Sequence, residues 1–193
     1  MRKIFFPEWD SLGKDFVVRA LAEEGCVLRH HPIPQAEPDQ EKRAELAKEL
    51  VEQIAGGAFD CVFSVNFLPV VAIACKALGI KYLSWVYDSP CIEVYSETVA
   101  YPTNHVFVFD HQLCLELWNR GIDTVHYLPL AADVAHYDGI CGGALRDDAP
   151  SPDKESRSFA ADISFVGSLY SEAREQFAPL GKGSDNCSRG ANC

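Results

Sequence analysis

Three times along this chain a helical stretch runs into a single glycine and leaves it directly as a β-rich segment. Residues 11–24 carry Leu12, Phe16, Val17, Ala20 and Leu21 on one helical face, stop at Gly25 and give way to Cys26-Val27-Leu28. Residues 68–78 stop at Gly79, before an extended run at 80–85. Residues 110–120, with Leu113, Leu117 and Trp118 as their apolar stripe and Asp110 as N-cap, stop at Gly121, before an extended run at 122–127. A glycine in that place closes a helix because the left-handed conformation costs it no Cβ clash. The repetition predicts an alternation of strands and helices.

The strands between these units read as continuous apolar runs. Residues 3–6, residues 61–65 (CVFSV, after the Gly56-Gly57 break) and residues 105–109, containing VFVF, lack the in-out alternation of a sheet with one wet face. Such runs belong to strands covered by helices on both sides. The expected fold class is therefore α/β, a Rossmann-like, doubly wound, mostly parallel sheet. The helix expected at about 39–55 is the most polar, with Leu46, Leu50, Val51 and Ile54 as a narrow stripe and its carboxylates on a solvated face.

The 193 residues suit one complete α/β domain and a remainder too short for a second. That domain is expected over residues 1–134. Residues 135–161, rich in Gly, Pro and charge, read as a linker. A strand at 163–166 followed by Gly167-Ser168 and a helical start at 171–177 reads as the opening of a further βα unit over 162–180, and the polar residues 181–193 as a disordered tail.

Charge and motif content narrow the functional classes. A formal net charge of -11 disfavours a nucleic-acid surface, since an anionic backbone would be repelled. The start carries no signal-peptide apolar run, and the longest uncharged stretch, residues 61–75, is shorter than the roughly 20 residues a spanning helix needs. A cytoplasmic protein without a membrane span is expected. The eight cysteines are scattered without a C-x-x-C pair, so they read as reduced thiols, four of them inside apolar segments. His30 and His31 are neighbours on one strand and point to opposite sides, and the remaining histidines are isolated, so no metal site and no cofactor are expected. Glycine-rich dinucleotide, Walker, nucleophile-elbow and H-E-x-x-H motifs are absent, as is D-x-D.

Ligands of a parallel sheet gather outside the carboxyl ends of its strands. Three polar sets fall there: Asn66-Phe67-Leu68-Pro69, Tyr87-Asp88-Ser89-Pro90, and Asp110-His111. Asp88 is the candidate catalytic group, a general base or a hydroxyl-binding carboxylate, although Asp-Ser-Pro is also ordinary turn chemistry. Asn66, Ser89 and Asp110 are candidate substrate-binding residues, with helix capping the competing account of Asn66 and Asp110. The Gly167-Ser168 turn offers backbone N–H groups and a helix start to a diphosphate.

Taken together, residues 64–69 (SVNFLP), 84–90 (SWVYDSP), 108–110 (VFD), 127–132 (YLPLAA) and above all 162–170 (DISFVGSLY) resemble the CgeB-like, spore-maturation-type glycosyltransferases. The likeness spans about residues 1–177, in the order of that family's N-terminal domain followed by the first strand of its C-terminal domain. It implies a GT-B architecture, two Rossmann-like domains facing a cleft, without a required metal. It also implies two small-molecule partners: a nucleotide-sugar donor and an unidentified acceptor. Carried over, Asn66, Asp88 and Asp110 line the acceptor wall, and Gly167-Ser168 begins the donor diphosphate site. A GT-B donor domain needs about another domain's length after that strand, so the expectation is a C-terminally truncated transferase, inactive alone. The alternative is a non-catalytic Rossmann-like module that binds a small ligand or a protein. A response-regulator-like domain is disfavoured because the first strand ends without an acidic cluster.

Overall fold

The structure is a computed structural model and describes residues 1–134 apart from 12 and 35–39, together with 136 and 139. Apart from 136 and 139, the expected linker at 135–161 lies outside the described residues, as do the βα unit at 162–180 with Gly167 and Ser168 and the tail at 181–193.

Among the described residues the order is β1 (Lys3–Glu8), α1 (Lys14–Glu23), β2 (Val27–Pro32), α2 (Gln40–Ala55), β3 (Cys61–Val65), α3 (Pro69–Leu78) and β4 (Tyr82–Val86). Two 3-10 turns, Ile92–Tyr95 and Glu97–Ala100, then lead to β5 (Asn104–Val108), α4 (His111–Asn119) and β6 (Val125–Tyr127). The six strands form one sheet in the order β2-β1-β3-β4-β5-β6, and every neighbouring pair is parallel. The expected α/β, Rossmann-like parallel sheet is present.

Each glycine stop closes its helix in the same way. Gly25, Gly79 and Gly121 take φ of 74°, 66° and 79°. The amide after each glycine reaches back across the last turn: Cys26 to Leu21, Ile80 to Cys75 and Ile122 to Leu117, at 3.0, 3.1 and 3.0 Å. These are Schellman closures, which satisfy helix-end carbonyls and turn the chain toward the sheet.

Helices cover both faces. On one, Phe5, Val62, Tyr82, Val86, Val106 and Val108 pack with Leu50 and Ile54 of α2, Val71 and Cys75 of α3, and Cys114 and Leu117 of α4. On the other, Phe6 and Val65 pack with Val17 of α1, flanked by Val18, Leu21, Phe63, Trp85 and Tyr87. Burying each such large side chain contributes roughly 1.5–3 kcal/mol, so this two-sided packing fixes the register. His30 and His31 obey it: the first meets the Phe6 ring and the second the Phe5 ring, on opposite sides of the sheet.

Four details differ from the sequence reading. Helix α1 begins at Lys14 rather than residue 11 because Gly13 sits at φ 77°, a non-helical backbone pressed against the Tyr87 ring. Ala20 is exposed, and Val18 takes a place beside the core instead. Strand β6 is shorter than expected because Ile122 is committed to closing α4. The β4–β5 connection has no α-helix among its described residues; the two 3-10 turns carry it, and Asn104 pins the second by donating to the carbonyls of Thr98 and Val99 at 2.8 and 3.2 Å.

Candidate functional site at the carboxyl edge of the sheet

Because all six strands run the same way, the segments that follow β3, β4 and β5 emerge along one edge. The strand order reverses once, between β1 and β3. There the indole Nε1 of Trp9 donates to the Val65 carbonyl at 3.0 Å, tying the β1–α1 loop to the end of β3. Glu8, the last residue of β1, is shared between Lys14 at 2.7 Å and His30 at 2.8 Å. The hydrogen bond from Lys14 leads in holding its carboxyl below the ordinary glutamate value.

Asn66 follows β3 at φ 60°, the one positive-φ residue other than glycine among the described residues. Asparagine tolerates this region better than most side chains. A buried relay fixes the turn. Ser64 Oγ donates to the Asn66 carbonyl at 2.7 Å, and the Leu68 amide donates to the Tyr82 hydroxyl at 3.0 Å. With the serine proton already committed, the 2.6 Å contact between the two hydroxyls has Tyr82 donating to Ser64. Complete burial pushes the Tyr82 phenol far above its ordinary value, which keeps that donor protonated.

Asn66 is 6 % exposed, and both ends of its side-chain amide are bonded within the fold. Its Oδ1 accepts from the amides of Tyr87 and Asp88 at 2.7 and 3.2 Å, and its Nδ2 donates to Asp88 Oδ2 at 2.6 Å. It does not cap α3, whose N-cap is Leu68 with Pro69 at the first helical position. Asp88 is exposed, its carboxylate held at the rim by this amide. Next along the edge, Ser89 Oγ donates to Asp110 Oδ2 at 3.4 Å, while Asp110 Oδ1 accepts from the amides of Gln112 and Leu113 at 2.9 and 3.3 Å. Asp110 thus caps α4 and faces Ser89 at once. The four candidates are linked in two pairs: Asn66 with Asp88, and Ser89 with Asp110.

A groove of about 540 Å³ starts at Ser89 and Asp110 and follows α4 past Gln112, Glu116 and Asn119, with Tyr95 on the opposite wall. That volume falls within the roughly 300–1,000 Å³ of small-molecule sites. Tyr95 donates to Glu116 Oε2 at 3.1 Å, Arg120 meets Glu116 Oε1 at 2.7 Å, and the guanidinium lies 5.4 Å from the Tyr95 ring centroid. Asn66 and Asp88 stand outside the groove lining, Asp88 being adjacent to Ser89 in the chain.

Sequence reasoning missed Ser64, Tyr82, Trp9, Tyr95 and Glu116. The lone hydroxyl of Ser64 inside the apolar strand CVFSV is a usable signal for the first of these, since a buried hydroxyl favours a partner. Among the described residues, no group of three or more His, Cys, Asp or Glu side chains is placed to hold a metal ion, and no helix is long and apolar enough to cross a membrane. No family model, curated protein or solved structure matches the chain.

Proposed function

We propose that the chain carries the acceptor-side domain of a GT-B type, CgeB-like glycosyltransferase, with Asp88 as the catalytic carboxylate. The observation that supports this most is the pairing of an exposed, amide-held Asp88 with a groove opening beside it at Ser89 and Asp110. In this reading an acceptor hydroxyl lies at the rim. Its oxygen forms the bond to the sugar's anomeric carbon, the nucleoside diphosphate leaves with the bonding pair, and the proton passes to Asp88. Ser89 and Asp110 hold neighbouring hydroxyls. Asn66 positions Asp88 without touching substrate. The diphosphate contacts fall to residues from 162 onward, where Gly167-Ser168 carries the resemblance, and no metal is required.

The test is release of nucleoside diphosphate from a panel of nucleotide sugars (UDP-glucose, UDP-N-acetylglucosamine, GDP-mannose) in the presence of simple sugars as acceptors. Release that Asp88→Asn cuts at least about a hundredfold, the usual scale of a general base, supports the assignment. Unchanged release by that variant overturns it. A specific observation favours a second reading, a non-catalytic binding module: Asn66 Oδ1 and Asp110 Oδ1 are both taken by backbone amides. Sugar binding that Asp88→Ala leaves unchanged selects that module over the transferase.

A further inference from the structure

The groove beside Asp88 has a charge character that selects its occupant. It contains two carboxylates, Asp110 and Glu116, and no lysine or arginine. Arg120, just past α4, is committed to Glu116 and lies against the Tyr95 ring. The remaining polar groups, Ser89, Gln112 and Asn119, are neutral donors and acceptors, and the Tyr95 ring, 46 % exposed, supplies an apolar wall. Phosphate and carboxylate ligands are recognised by bidentate guanidinium or ammonium contacts; here the Arg120 guanidinium is already engaged by Glu116, and they would face Asp110 with no free partner of that kind in the lining. Hydroxyls, by contrast, find paired donors and acceptors along α4, and the face of a sugar ring can lie on Tyr95. The chain's formal net charge of -11 adds a repulsive background for anions.

Resting on the acceptor-side reading above, we infer that the acceptor is an uncharged or amine-bearing sugar, and that phosphorylated and uronic sugars are excluded by Asp110 and Glu116. The exclusion is a specificity device: it costs the right ligand nothing and raises the free energy of the wrong one.

Ligand-observed NMR titration of the full chain compares four probes: methyl glucoside, glucosamine, glucuronate and glucose 6-phosphate. The expected result is binding of the first two, with the anionic pair at least about fivefold weaker, the scale of one to two exposed like-charge contacts. The double variant Asp110→Asn, Glu116→Gln keeps an N-cap and the acceptor for Tyr95 while removing both charges, and should bring glucuronate to within about twofold of methyl glucoside. If glucuronate binds the unaltered protein as well as methyl glucoside, or if the double variant leaves the gap untouched, the charge inference fails while the sugar-site reading stands. If none of the probes binds, the acceptor reading falls and this inference with it.

Discussion

Asn66 reaches Asp88 across 2.6 Å from a left-handed backbone position, and the same side chain receives the amides of Tyr87 and Asp88. One residue therefore sets the conformation of two loops, its own after β3 and the next after β4. Asn66→Ala strands two backbone amides and keeps an unfavourable φ for alanine, an expected loss of about 2–4 kcal/mol. Asn66→Gly removes the φ cost and should be about 1 kcal/mol milder. Asn66→Asp retains the acceptor but sets a carboxylate against Asp88. Chemical denaturation ranks the three; a glycine variant less stable than the alanine variant contradicts the backbone argument.

The Tyr82–Ser64 relay is expected to act as a unit. Tyr82→Phe leaves the part-buried Leu68 amide without its acceptor, so about 1–3 kcal/mol should be lost. Ser64→Ala should cost a similar amount, because it removes the donor to the Asn66 carbonyl. The double variant should cost less than the sum, since the hydroxyl pair is lost only once. Full additivity in the double-mutant cycle would show that the two hydroxyls do not cooperate.

Acid sensitivity is expected to begin at His105. Burial, then the nearby His126 ring stacked 5.7 Å away, then Lys81, hold its pKa below the ordinary value of 6.5. The unfolded chain then binds this proton more readily than the folded one, so stability is complete above 6.5 and falls as pH drops below it. His105→Gln should flatten the stability curve in that window. Glu8 acts lower on the scale: its depressed carboxyl contributes above about 4.5 and is lost as pH falls further, so Glu8→Gln should change stability near pH 7 by under about 1 kcal/mol, as an exposed pair does. Urea midpoints at a series of pH values separate the two.

Thiol reactivity should divide the described cysteines. Burial pushes Cys75 and Cys91 up to about 12, leaving almost no thiolate at neutral pH, whereas Cys26 is half-buried and accessible. Iodoacetamide labelling followed by peptide mass spectrometry should modify Cys26 in the native protein, and Cys75 and Cys91 only after unfolding. Early labelling of Cys75 would mean that α3 does not pack as described.

What the sequence made legible was local. Gly25, Gly79 and Gly121 announce themselves because a Schellman closure needs only a glycine and the residue after it. The apolar runs VFVF and CVFSV announce parallel strands, but Phe63 and Phe107 are only half-buried, so the second face is less covered than those runs imply. The placement of Asn66, Asp88 and Asp110 near one edge followed from strand direction alone. What stayed hidden depends on pairs distant in the chain. Tyr82 meets Ser64 across 18 positions and Tyr95 meets Glu116 across 21, so neither partnership leaves a periodic trace. Gly13 is similar: the ring that its backbone faces belongs to Tyr87, far along the chain. The distinction between Asn66 as ligand and Asn66 as brace also required the observed hydrogen bonds, because asparagine suits both.

The most direct measurement is a backbone amide NMR map of the full chain titrated with methyl glucoside. The account expects shifts concentrated at Asp88, Ser89, Cys91, Asp110 and Gln112, at the carboxyl edge and the mouth of the groove, and their loss in Asp110→Ala. Shifts confined to the opposite edge, around Tyr101, Thr103 and Ile122, or a response unaffected by that substitution, would contradict it.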